Sequence, residues 1–167
     1  MTPRVLIAGV GNVFRGDDAF GVEVARRLAG RSLLPGVRVI DFGIRGLDLA
    51  YAILDGYDVV ILADATPRGG CPGTLYDLEP QPEPGAPVPA GLALDCHGVD
   101  LPAVFNFVQL MGGRLPRLRL IGCEPAALGS EDEWQMGLSE PVAAAVEPAA
   151  DLVEGLVIEA IRGTGRA

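Results

Sequence analysis

The chain has 167 residues, 49% hydrophobic and 21% charged, a globular rather than a disordered composition. Its formal charge is −9, from 22 acidic and 13 basic residues. Such a surface repels phosphate backbones and anionic lipid, so nucleic acid and membrane surfaces are poor partners. A domain of this length buries about two-thirds of its unfolded surface and needs no disulfide or structural metal. The three cysteines, Cys71, Cys96 and Cys123, are odd in number and form no C-x-x-C, which argues against a disulfide framework or a zinc ribbon. The first apolar run is too short for a signal peptide, and no stretch reaches the roughly 18 apolar residues of a membrane span. A soluble, cytoplasmic protein is expected.

Residues 4–10 are an apolar run ending in glycine, which predicts a strand buried on both faces. A loop, Gly11 to Asp18, follows. Residues 19–30 carry apolar side chains near helical spacing, with Asp17 or Asp18 as a natural N-cap. Residues 37–42 predict a second strand, and 46–55 a helix with Leu47, Tyr51 and Leu54 on one apolar face. The wholly apolar 58–63 predicts a central strand, and 73–79 a strand nearer the sheet edge. Five prolines between 80 and 90 predict an extended surface loop. Residues 100–111 predict a helix with Pro102 in its first turn, and 117–122 a last strand. An acidic loop at 124–138 contains Glu131, Asp132, Glu133 and Trp134. The final helix, 139–161, is expected to be capped by Ser139 and kinked or delayed by Pro148.

This order predicts one three-layer α/β domain spanning 1–167, around a mostly parallel sheet of about five strands. Ligands of such sheets sit beyond the carboxyl ends of the strands. Three features fall at that edge: Asp17 and Asp18 after the first strand, Asp64 closing the run 58–63, and His97, the single histidine. Two carboxylates and an imidazole suit a divalent metal. A histidine near a helix N-terminus stays neutral, the form that ligates metals.

Taken singly, each residue has a plainer role. Either aspartate of the first loop serves as a helix cap, Asp64 as a turn anchor and His97 as a structural histidine. Their convergence on one edge raises the functional reading above these. A dinucleotide fingerprint starting Gly9-Val10-Gly11 would need its third glycine at position 14, which is Phe14, and two aspartates follow where phosphate would lie. The glycines instead let the backbone turn sharply beneath the acidic edge. There is no G-x-S-x-G nucleophile elbow. Cys96 adjoins His97 only in sequence, so all three cysteines read as small structural residues.

The string G-V-G-N-V-F-R-G-D-D-A-F-G (Gly9 to Gly21) resembles the glycine–asparagine–acidic signature of the [NiFe]-hydrogenase maturation endopeptidases. Further matches follow in order: Asp41-Phe42-Gly43-Ile44-Arg45-Gly46, Asp64-Ala65, Pro72-Gly73-Thr74, His97, and Gly137-Leu138-Ser139-Glu140-Pro141. The resemblance covers nearly the whole chain. It implies an endopeptidase that removes the C-terminal extension of a hydrogenase large-subunit precursor after nickel insertion. It also implies that Asp18, Asp64 and His97 contact nickel carried by that precursor, with no tightly bound metal in the free enzyme. The first-loop acid is often Glu in the family, which leaves Asp17 or Asp18 as the ligand, and the turn at Asp41 departs from the commoner form. Alternative readings are a maturation chaperone, or a free-standing metallopeptidase or amidase on the same fold. A monomer is the default expectation.

Overall fold

Runs such as Val5–Val10 and Val59–Leu62 are apolar at every position, so they are stable only where both faces are covered. The computed structural model describes residues 2–82, 99–130 and 132–163, and it buries both runs. Strands β1 (Val5–Val10), β2 (Val37–Gly43), β3 (Val59–Ala65), β4 (Leu75–Leu78) and β5 (Arg117–Cys123) form one sheet in the order β2-β1-β3-β5-β4. All pairs are parallel except β4 with β5. The helices are α1 (Phe20–Ala29), α2 (Gly46–Leu54), α3 (Leu101–Leu110) and α4 (Glu140–Gly163), and a 3-10 turn at Asp17–Ala19 leads into α1. Alternate residues of β1 point to opposite faces: Val5 and Ile7 pack against α1 and α4, Leu6 and Ala8 against α2 and α3. The α/β class, the mostly parallel sheet and the edge position of β4 agree with the sequence reading, and the structure adds that β4 is antiparallel. Among the described residues no helix is long and apolar enough to cross a membrane.

Four expectations are corrected. First, the buried face of α2 is Gly46, Leu49, Ala50 and Ile53, whereas Leu47 and Tyr51 are exposed. The helix is apolar almost all round, so periodicity could not choose its inner face. Second, neither Asp17 nor Asp18 caps α1, whose N-cap Ala19 makes no side-chain bond. Third, Ser139 precedes α4 but gives its hydroxyl to Asp17 rather than to the helix. Fourth, Pro148 neither delays nor ends α4. It and Ala144, the carbonyl it orphans, are both exposed, so water can take the lost bond. By contrast α3 starts as expected: Asp100 accepts from the Ala103 amide at 3.2 Å, with proline in the first turn. Most of the expected proline-rich loop, 83–90, lies outside the described residues.

Backbones approach one another closely where α1 meets the sheet. A Cβ on Gly21 would lie 1.9 Å from the Ala63 carbonyl oxygen and 2.3 Å from that of Val10, and one on Gly9 would lie 2.3 Å from the Gly21 oxygen. Helix α1 therefore approaches β1 and β3 most tightly at Gly9 and Gly21, while its Phe20, Val24 and Leu28 share a core with Val5, Ile7 and Ile61. Neither carbonyl is the end of a flexible side chain, so neither can move aside. Gly21→Ala is expected to cost about 3 kcal/mol or more, as severe overpacking does. Equilibrium urea unfolding checks this, and a variant with wild-type stability would refute the close-packing account.

Candidate active site at the β1–β3 crevice

From β1 the chain crosses to β2 on one side and then returns to β3 on the other. The carboxyl ends of β1 and β3 thus flank the switch point where ligands of doubly wound sheets bind. Loop 11–18 leaves β1 at this point, and Asp64 is the penultimate residue of β3. Gly11 makes the loop possible: its φ is +137°, and a Cβ there would sit 1.8 Å from the Asp18 carbonyl oxygen. The loop folds back directly over its own start.

This return brings the Asp18 carboxylate over the chain, where its Oδ2 accepts from the Asn12 amide at 3.1 Å. Burial raises its pKa, opposed by that amide and by Arg15. Asp64 is raised well above the ordinary aspartate value, chiefly by burial and next by the negative charge of Asp18, with only the Ala65 amide opposing. The fold therefore puts two half-buried carboxylates within electrostatic reach of each other at this edge. Such a pair resists double ionisation until a cation or a proton arrives. Among the described residues no three His, Cys, Asp or Glu side chains converge as a metal site. His97 and Cys96 lie outside the described residues.

Asp17 has a different task. It is 2% exposed. Its Oδ1 accepts from the Ser139 amide at 2.7 Å, and its Oδ2 from the Ala126 amide at 2.8 Å, the Ser139 hydroxyl at 2.9 Å and the Ala127 amide at 3.4 Å. Burial works to raise its pKa, but the bonds from Ser139 and from the Ala126 and Ala127 amides outweigh it and hold the group below its usual value. Asp17 latches the first loop to the start of α4 and to the segment after β5. Of the two adjacent acids, Asp18 is the one not consumed by the scaffold. Asp41 faces Arg26 of α1 at 3.7 Å.

The sequence reading passed over Glu124, which is 5% exposed. It accepts from the Tyr76 hydroxyl at 2.7 Å, the Arg68 amide at 2.8 Å and the Gly69 amide at 3.1 Å, and so braces the turn that follows β3. It closes the apolar run of β5 as Asp64 closes that of β3, and that was its available signal. Cys123 is buried, its thiol pushed up to about 11 chiefly by burial, as suits a packing residue. Cys71 is exposed, so it does not pack as expected. A groove of about 1020 Å³ between α1 and α4 is lined by neither Asp18 nor Asp64; the acid pair lies elsewhere, at the sheet edge.

The family model for hydrogenase maturation proteases matches residues 22–156. The chain belongs to the hydrogenase maturation protease family. That match begins after Asp18. Among the family's curated members, a Rhodobacter capsulatus protein named for hydrogenase expression and formation, HupD, is 36% identical over 75% of this chain and 59% of its own length. The hydrogenase 2 maturation protease of Escherichia coli is 31% identical over 97% of this chain and 93% of its own. The solved structure of the E. coli hydrogenase maturating endopeptidase HybD superposes with a TM-score of 0.74, at 29% identity and 93% coverage of both chains.

Two outcomes follow for this family member. Asp17→Ala strands buried amide and hydroxyl donors and is expected to cost about 3 kcal/mol. Because the folded pKa of Asp17 is depressed, its stabilisation is present above the ordinary value of 3.8 and is lost as pH falls through the folded value. The gap between wild type and variant in urea unfolding should narrow on acidification. Asp64 behaves in the opposite sense. Its folded pKa is raised, so its contribution is complete below 3.8 and is lost as pH rises through the folded value. Asp64→Asn, permanently neutral, should melt above wild type at neutral pH, with the difference closing towards acid. A variant that melts lower at neutral pH contradicts the strained-pair description.

Proposed function

We propose that this chain, acting as one domain over 1–167, is an endopeptidase that removes the C-terminal extension of a [NiFe]-hydrogenase large-subunit precursor. The observation that carries the reading is the Asp18–Asp64 pair at the switch point of a hydrogenase maturation protease fold. Nickel arrives as cargo, already held by thiolates of the precursor. Asp18, Asp64 and His97 supply the remaining ligands, so metal loading is read before cleavage, and the free enzyme holds no nickel tightly. A carboxylate-plus-imidazole set is chemically apt for such an ion.

Asp64 gives this recognition its driving force. Burial and Asp18 make a second negative charge costly at this edge. A cation that binds there neutralises the repulsion and displaces the residual proton, so precursor binding and deprotonation are coupled. The scissile peptide is then held at the same edge, where the metal or a carboxylate polarises water or the carbonyl. Glu124 and Asp17 keep the flanking segments fixed while this occurs. The enzyme is proposed to work in the cytoplasm, as a monomer.

Mass spectrometry of a nickel-loaded precursor tests the proposal. Wild type should shorten it and leave the nickel-free precursor intact. Asp18→Ala and His97→Ala should fold normally and lose processing by at least about a thousandfold, the scale on which single reaction-assisting groups act. Full processing by both variants removes the reading.

A further inference from the structure

The loop bearing Asp18 is held by chain neighbours that carry exposed apolar side chains. The Gln135 amide donates to the Phe14 carbonyl at 2.9 Å, and the Gly16 amide to the Gln135 carbonyl at 2.7 Å. These bonds make a parallel bridge between Arg15 and Gln135, and a second, antiparallel bridge joins Gly16 to Leu128. Trp134 and Met136 flank the bridging Gln135, and they are 80% and 73% exposed. The Trp134 ring packs on Phe14 with centroids 5.0 Å apart. Phe14 and Leu128 are themselves 42% and 40% exposed. Four large apolar side chains thus stand in water on three mutually pinned segments, beginning four residues from Asp18. A tryptophan that the fold could have buried is instead presented on fixed backbone, which is how interface anchors are built.

We infer that Phe14, Trp134 and Met136 form the docking surface for the folded body of the protein substrate. The inference rests on the peptidase reading above and adds the surface that seats the precursor beside the carboxylates. The occupant's chemistry follows from the rim. Asp132 and Glu133 precede Trp134, are exposed, and form no ion pair with any described residue. They ask for a partner whose apolar patch is bordered by Arg or Lys. Backbone pinning means the anchors are ordered before binding, so little conformational freedom is lost on association. Bridging to the Asp18 loop places this docking contact beside the carboxylates.

Steady-state cleavage of the nickel-loaded precursor tests this. Trp134→Ala should raise KM about tenfold with kcat unchanged, as loss of an anchor that binds ground and transition states alike requires. Leu110→Ala, which removes an exposed apolar side chain at the far end of α3, should change neither constant. Reversing the rim with Asp132→Arg and Glu133→Arg should raise KM and flatten its dependence on salt. Calorimetric titration of the same precursor reads docking apart from cleavage: binding that weakens in Trp134→Ala supports the surface even if wild type cleaves nothing, which would sink only the peptidase reading. An unchanged KM and binding constant in Trp134→Ala overturns the inference. So does sedimentation velocity in which Trp134→Ala merely converts a dimer to a monomer, because the surface would then seat a second copy.

Discussion

The close seating of α1 on two strands is the constraint from which the rest of the edge follows. Positions 9 and 21 carry no side chain, and at each a Cβ would fall within 2.3 Å of a backbone oxygen. The helix therefore begins almost in contact with the carboxyl ends of β1 and β3. The intervening loop has no room to wander and must fold back across Gly11. A bulkier residue at any of these places would lift the helix start, and with it Asp18, away from Asp64. Geometry at the acid pair is thus set by what is missing from the backbone beneath it.

On that base two adjacent aspartates divide the work. Asp17 spends its oxygens on Ala126, Ala127 and Ser139, which joins three distant parts of the chain at one buried point. Its charge is stabilised by donors and lies below its ordinary pKa. Asp18, one residue on, has a single amide partner and faces another acid. One carboxylate is satisfied and structural, its neighbour under-satisfied and available. The second condition is unfavourable in the isolated fold.

Around the acids, rigidity comes from hydrogen bonds rather than from large side chains. Glu124 braces the turn after β3, Asp17 the start of α4, and two isolated bridges hold the segment carrying Trp134. Backbone ordering of these segments is thus built into the fold itself. The ion-pair cluster of Arg31 with Glu147, Asp151 and Glu154 ties the turn after α1 to α4, with its carboxylates partly in solvent. It contributes modestly to stability, as exposed pairs do.

Much of the fold was legible because its signals are local. Apolar runs at 5–10 and 59–62 require strands covered on both faces, the alternation with helical segments requires a parallel sheet, and an aspartate closing a buried strand must lie at the carboxyl edge. The sequence by itself determined these, together with the need for glycine at the first turn. It did not choose the inner face of α2, where apolar residues lie on nearly every side and only packing against the sheet and α3 decides. Nor did it separate Asp17 from Asp18, or mark Trp134 as pinned and presented, because those roles depend on partners far away in sequence, Ser139 being 122 residues from Asp17. Periodicity reports the pull of water on a short segment. Hydrogen bonds between remote segments exist only once the sheet has brought them together, so the tertiary structure alone assigned them.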